Sequence, residues 1–96
     1  MKPSEALSQH RDAVMAIVLG SGVHNVRVFG SALHGNDTEG SDLDLLVDAH
    51  RGTTLLDMVR LQRAIERQLG ISVDIMTADD LPPAFRGRVI GEARPL

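Results

Sequence analysis

The 96-residue sequence contains no cysteine, tryptophan or tyrosine, and only two phenylalanines. The lack of cysteine excludes disulfides and thiolate metal sites. Because Phe29 and Phe85 are the only phenylalanines, we do not expect a platform on which the bases of single-stranded nucleic acid stack. The net charge of −3 also argues against strong nucleic-acid binding, which depends on many contacts from lysine and arginine to phosphate.

Long apolar segments are missing as well. No run approaches the roughly 18–20 apolar residues that a membrane span requires, and residues 1–5 lack the apolar centre of a signal peptide. We therefore expect a cytoplasmic protein that does not bind membranes. A chain of this length with 43% hydrophobic residues is expected to form one small domain, residues 1–96.

The hydrophobic periodicity predicts helices that alternate with short strands. Ser4 is the expected N-cap of a first helix, which carries an apolar stripe at helical spacing. A second helix is expected to begin at Thr53 or Thr54, to turn Leu55 inward among other apolar residues, and to end at Gly70. A third follows Leu81 and continues to about residue 93. Strands are predicted over residues 26–29, 43–48 and 71–76. This order predicts an α/β or α+β fold, with a small mixed central sheet flanked by helices.

The most informative segment joins the first two strands. Gly30 and Ser31 follow the first apolar run, and Asp42 and Asp44 flank the first residue of the second. Residues two apart in a strand point to the same face, so the two carboxylates would project together. Two adjacent negative charges repel each other unless a cation compensates them. Paired carboxylates beside a turn that can hold phosphate indicate a metal-dependent nucleotide site.

Asp74 is a third candidate for this site. It alternates with Val73 and Ile75, so its carboxylate is expected on the opposite face of the third strand. A buried aspartate without a partner would be costly there. If the third strand lies beside the second, Asp74 joins Asp42 and Asp44 in a cluster of three carboxylates; the sequence leaves that adjacency open.

Other phosphate and metal motifs fit poorly. Gly30 and Gly35 have the spacing of a Walker A loop, but Asn36 and Asp37 stand where lysine and serine or threonine are required. Asp42 stands where an EF-hand loop needs glycine. The complete pattern, Gly-Ser, about ten residues, Ser-Asp-Leu-Asp and a later strand aspartate, resembles the signature of the DNA polymerase beta-like nucleotidyltransferases, and especially of the minimal nucleotidyltransferases.

This resemblance implies a role for each residue of the pattern. Asp42, Asp44 and Asp74 would be catalytic and would ligate two Mg²⁺ ions. Gly30, Ser31 and Ser41 would bind the nucleotide, with ATP as the expected substrate. Such proteins commonly act as antitoxins to HEPN-domain toxins, in some cases by adenylylating the toxin. The expected activity is therefore protein adenylylation, with a HEPN toxin as the partner.

One segment departs from the family pattern. Many minimal members carry arginine shortly after Gly-Ser, but residues 32–35 contain neither arginine nor lysine. His34 is cationic only in part near neutrality, and a surface role is favoured for it. A non-catalytic antitoxin that neutralises its partner by binding alone therefore remains the alternative. Transfer to a small molecule is less favoured, since it would normally need an added substrate-binding domain.

Overall fold

The computed structural model describes all residues from Met1 to Leu96 and is built on a four-stranded mixed sheet. The strand order across the sheet is β3-β2-β1-β4. β1 pairs antiparallel with β2 and with β4, whereas β2 and β3 are parallel. The strands are β1 (Val23–Phe29), β2 (Leu43–Ala49), β3 (Val73–Met76) and β4 (Arg94–Pro95). The expected mixed central sheet is thereby confirmed.

Four helices complete the fold: α1 (Pro3–Leu19), α2 (Gly30–His34), α3 (Leu55–Leu69) and α4 (Pro83–Glu92). A 3-10 turn at Ala78–Asp80 precedes α4. α2 is a single short turn of helix that begins at Gly30, immediately after β1, and the two-residue β4 was not predicted. None of the helices has the length and apolar character needed to cross a lipid bilayer.

The two faces of the sheet are covered differently. α1 and α3 pack on one face, where they meet Leu43, Leu45 and Val73 in the larger core cluster. The opposite face carries a small cluster of Phe29, Leu46 and Leu81, with Val89 of α4 against it. Because only three buried residues belong to this second cluster, much of that face remains available for polar side chains.

α3 shows which helix signals in the sequence were reliable. Thr54 is its N-cap and forms a capping box with Asp57, and Gly70 ends it with a left-handed φ of 71°. Leu55, which was expected to turn inward, is instead 80% exposed. It belongs to the first turn, whereas the stripe that packs on the core consists of Leu61, Ile65 and Leu69.

The prediction for Ser4 was wrong. Pro3 takes the first helical position and Lys2 is the N-cap, as expected for a proline with fixed φ and no N–H to satisfy. Ser4 lies in the first turn, where its backbone N–H and hydroxyl donate to Asp37 at 2.8 and 3.1 Å. Asp37 is 4% exposed, so it ties the start of α1 to the segment between α2 and β2. The hydrogen bond from the Ser4 backbone holds the pKa of Asp37 below its ordinary value.

We expect Asp37→Asn to lower the free energy of unfolding at neutral pH by about 1–2 kcal/mol, because it weakens two charge-assisted hydrogen bonds. Because the pKa of Asp37 is lower in the folded state than in the unfolded state, the ionised carboxylate stabilises the fold. This stabilisation is fully present above the unfolded-state pKa and is lost as pH falls through the folded-state pKa. The difference from the wild type should therefore shrink below about pH 4.

Urea unfolding at neutral and acidic pH measures this difference. Asp12→Asn is the matched control, since Asp12 is exposed on α1. Equal stability of Asp37→Asn and the wild type at neutral pH would contradict the anchoring role of Asp37.

Candidate active site

Asp44 and Asp74 lie side by side on neighbouring parallel strands. In the register of β2 and β3, Asp44 is the direct partner of Asp74. Val73 is buried in the larger core, so the alternation of the strand places Asp74 on the opposite face. The third strand thus lies beside the second, which the sequence left open. Asp42 is an exposed residue immediately before β2.

The Asp44 and Asp74 carboxylates lack partners within the protein. Three other acidic side chains are at least partly buried, and each of them is hydrogen-bonded. Asp37 binds Ser4, Asp48 pairs with Arg27 at 2.8 Å, and Glu66 accepts from the Val73 backbone N–H. Neither the Asp44 carboxylate nor the Asp74 carboxylate takes part in any hydrogen bond or salt bridge. The fold therefore leaves an uncompensated pair of carboxylates on one face of its sheet.

Electrostatics at Asp44 follow from this arrangement. Burial, followed by the neighbouring Asp74 and Asp42 carboxylates, raises the pKa of Asp44 from 3.8 to about 6. Each cause disfavours the ionised form. A cation bound between these carboxylates would reverse the effect, because it favours the charged form of every ligand.

Gly30 brings the backbone directly against the Asp44 carboxylate. Its φ is +72°, a left-handed conformation that glycine adopts without strain. A Cβ at this position would collide with the Asp44 carboxylate oxygen. Phe29 pairs with Asp44 in the β1–β2 ladder, so the turn that begins α2 starts beside the carboxylate. Gly30 thus borders the acidic site, and Ser31 follows it in α2. The nucleotide-binding roles predicted for both residues stay predictions.

Ser41 lies in the turn that leads into β2. Its hydroxyl accepts a hydrogen bond from the Thr38 backbone N–H at 2.9 Å, and its own N–H donates to the Thr38 carbonyl. These contacts order the turn from Thr38 to Ser41, immediately before Asp42. The nucleotide-binding role predicted for Ser41 stays a prediction.

The donor set suits Mg²⁺. No three acidic or histidine side chains converge closely enough to enclose a metal ion on their own. Mg²⁺ does not need such a cage, since it commonly binds to one or two carboxylates and completes its octahedron with waters and substrate phosphates. Asp44 and Asp74, with exposed Asp42 beside them, supply hard oxygen ligands of this kind.

A cavity of about 370 Å³ opens beside Gly30 and Ser31. α4 forms its other wall, which includes Phe85 and Arg88. His34 also lines the cavity, but its Nε2 lies 3.2 Å from Glu92 Oε2. No local pattern in the sequence indicates this wall, because α4 is about 50 residues away from α2 along the chain.

Asp44→Asn should stabilise the cation-free protein at about pH 7.5. The pKa of Asp44 is higher in the folded state than in the unfolded state, so the protonated carboxyl stabilises the fold. This stabilisation is fully present below the unfolded-state pKa and is lost as pH rises through about 6. The neutral asparagine avoids this loss. We expect a gain on the order of 1 kcal/mol after solvent screening, vanishing near pH 4.

Urea unfolding with a chelator present measures this effect, and Asp12→Asn again serves as the control. A variant less stable than the wild type at about pH 7.5 would show that Asp44 has a stabilising partner.

Comparison with known sequences identifies the family of this chain. Residues 4–96 match the family described as Polymerase beta, Nucleotidyltransferase. The chain is 34% identical over 87 residues to MJ0435, a predicted protein adenylyltransferase of Methanocaldococcus jannaschii, covering 91% of this chain and 94% of the relative. It is 35% identical over 71 residues to protein adenylyltransferase MntA of Thermococcus cleftensis, covering 74% and 72%.

Solved structures share the fold. A predicted minimal nucleotidyltransferase superposes with a TM-score of 0.85 at 46% identity, covering 97% of this chain and 95% of the other. A toxin–antitoxin structure with AMP-PNP gives a TM-score of 0.73 at 16% identity, covering 88% and 69%, which shows likeness of fold alone. The chain therefore belongs to the polymerase beta-like nucleotidyltransferase family and is a nucleotidyltransferase of the minimal type.

Proposed function

We propose that this chain transfers AMP from ATP to a hydroxyl group of a partner protein, with Asp42, Asp44 and Asp74 as ligands of two Mg²⁺ ions. The observation that carries the proposal is the unpartnered pair of Asp44 and Asp74 against the Gly30 backbone. Protein adenylyltransferases among the relatives support the choice of nucleotide and acceptor.

The reaction is an in-line displacement at the α-phosphorus. The acceptor oxygen forms a bond to phosphorus, the bond to the bridging oxygen breaks, and pyrophosphate leaves. When bound, the two divalent ions would activate the acceptor hydroxyl and neutralise charge on the triphosphate. Asp42, Asp44 and Asp74 would hold these ions, and Asp74 would also take up the proton of the acceptor hydroxyl. Gly30 and Ser31 would border the β- and γ-phosphates, since a glycine lets a phosphate approach the backbone.

The proposed partner is a HEPN-domain toxin, with this chain as its antitoxin in the cytoplasm. The support is the likeness of fold to a chain in a toxin–antitoxin structure crystallised with AMP-PNP. AMP transfer to the toxin would add a charged group and a nucleoside to its surface. Such a modification would block a site by charge repulsion and bulk.

A second function, neutralisation by binding alone, is favoured by one observation. Residues 32–35 carry no permanent positive charge, and the His34 imidazole contacts Glu92. The segment after Gly30 therefore offers the triphosphate no free cation. If the lack of this cation prevents catalysis, the protein would neutralise the toxin by binding to it.

Label transfer from α-labelled ATP tests the first function. With Mg²⁺ and a cognate HEPN-domain toxin, the wild type should label the toxin, and Asp42→Asn or Asp44→Asn should reduce the rate by at least about 100-fold, since these variants lose metal ligands. Asp12→Asn is the matched control and should retain the wild-type rate. Absence of transfer by the wild type would contradict the proposal.

The same design separates the two functions in cells that express the toxin. Asp74→Ala should fail to protect these cells if AMP transfer is required. Full protection by Asp74→Ala, at wild-type expression, would establish that binding alone suffices.

A further inference from the structure

The cavity beside Gly30 and Ser31 is lined by α2 and α4 and by none of the three carboxylates. Gly30 borders both sites, since it touches the Asp44 carboxylate and lines the cavity. A nucleotide whose α-phosphate lies at Asp44 and Asp74 would therefore extend its outer phosphates past Gly30 into this space. A triphosphate is highly anionic, so the cavity needs a cation that the α2 wall does not supply.

Arg88 is the free cation of this cavity. Two other arginines are engaged elsewhere: Arg27 pairs with Asp48, and Arg86 donates to the backbone carbonyls of Ala78 and Leu81. Arg88 makes no salt bridge or hydrogen bond and lies on the α4 wall. Glu92, the acidic residue of that wall, is in contact with the His34 imidazole at 3.2 Å. The guanidinium of Arg88 is thus available to an anion.

Phe85 supports Arg88 from the preceding turn of α4. The guanidinium carbon lies 5.9 Å from the centroid of the Phe85 ring, within the range of a cation–π contact. Phe85 is 41% exposed although it is one of only two aromatic residues in the chain. Its spacing of three residues from Arg88 places both side chains on one face of the helix. The exposed ring of Phe85 thus contacts the one free cation of the cavity.

We propose that Arg88 binds the outer phosphates of the nucleoside triphosphate and that Phe85 positions its guanidinium for this contact. The inference rests on the proposed function, because it places the α-phosphate at Asp44 and Asp74. It extends that function by assigning discrimination between tri- and monophosphates to α4. Arg88 suits the task because a planar guanidinium binds two phosphate oxygens at once.

Calorimetric titration with AMP-PNP and with AMP, each with Mg²⁺, tests the assignment. Arg88→Ala should weaken AMP-PNP binding about tenfold or more, the usual effect of losing a charge-assisted contact. Its affinity for AMP should stay within about twofold of the wild type, because AMP lacks the outer phosphates. Arg88→Lys should recover part of the lost affinity, since lysine keeps the positive charge but cannot bind two phosphate oxygens at once as a planar guanidinium does.

Arg63→Ala is the matched control. It removes the same charge from an exposed position on α3, which packs on the other face of the sheet. If Arg88→Ala and Arg63→Ala both bind AMP-PNP like the wild type, Arg88 does not contact the phosphates. An equal loss of AMP and AMP-PNP affinity in Arg88→Ala would also overturn the assignment, because it would indicate a change of the whole site.

Phe85→Leu tests the positioning role. It should weaken AMP-PNP binding by a few fold in the wild-type background and have no further effect in Arg88→Ala, because the two residues act through one contact. Additive losses would show that Phe85 acts independently of Arg88. A wild-type chain that binds no triphosphate would overturn the proposed function together with this inference. Binding of AMP-PNP that Arg88→Ala leaves unchanged would overturn the inference alone.

Discussion

The parallel pairing of β2 with β3 determines the rest of the site, because it places two carboxylates directly opposite each other. Aliphatic residues on the other face fix this register: Leu43, Leu45 and Val73 are buried under α1 and α3. A slip of one residue would turn Asp44 into that core and a leucine out of it, so the hydrophobic face enforces the register. The repulsion between Asp44 and Asp74 is thus imposed by the packing of their neighbours. Functional sites commonly retain an unfavourable local interaction of this kind.

The strand faces on which the two aspartates lie could be predicted from the sequence, because strand alternation and spacing depend on nearby residues. Asp74 was assigned to the correct face by its place between Val73 and Ile75. Its adjacency to Asp44 was not readable, since parallel pairing joins strands separated by a whole helix. The N-cap at Lys2 does have a local signal in the sequence, because Pro3 is a preferred first helical residue. β4 has only two residues, too few to show any periodicity.

The distribution of charge divides the site between two parts of the chain. The carboxylates come from strands in the middle of the sequence, whereas the free cation beside Gly30 comes from α4 near its end. No sequence spacing connects Ser31 with Arg88, so only the folded chain brings them together. This division explains how a segment without arginine or lysine after Gly30 can belong to a nucleotidyltransferase. It also makes the position of α4 part of the site.

In the proposed function, the carboxylates of β2 and β3 form a divalent-metal site that is completed by a triphosphate. Counting bound Mn²⁺ by electron paramagnetic resonance, with and without AMP-PNP, tests it most directly. The wild type should bind two ions per chain in the presence of AMP-PNP, as a two-metal site requires, and Asp44→Asn should bind fewer. Failure of the wild type to bind Mn²⁺ with AMP-PNP, or equal binding by Asp44→Asn, would contradict the account.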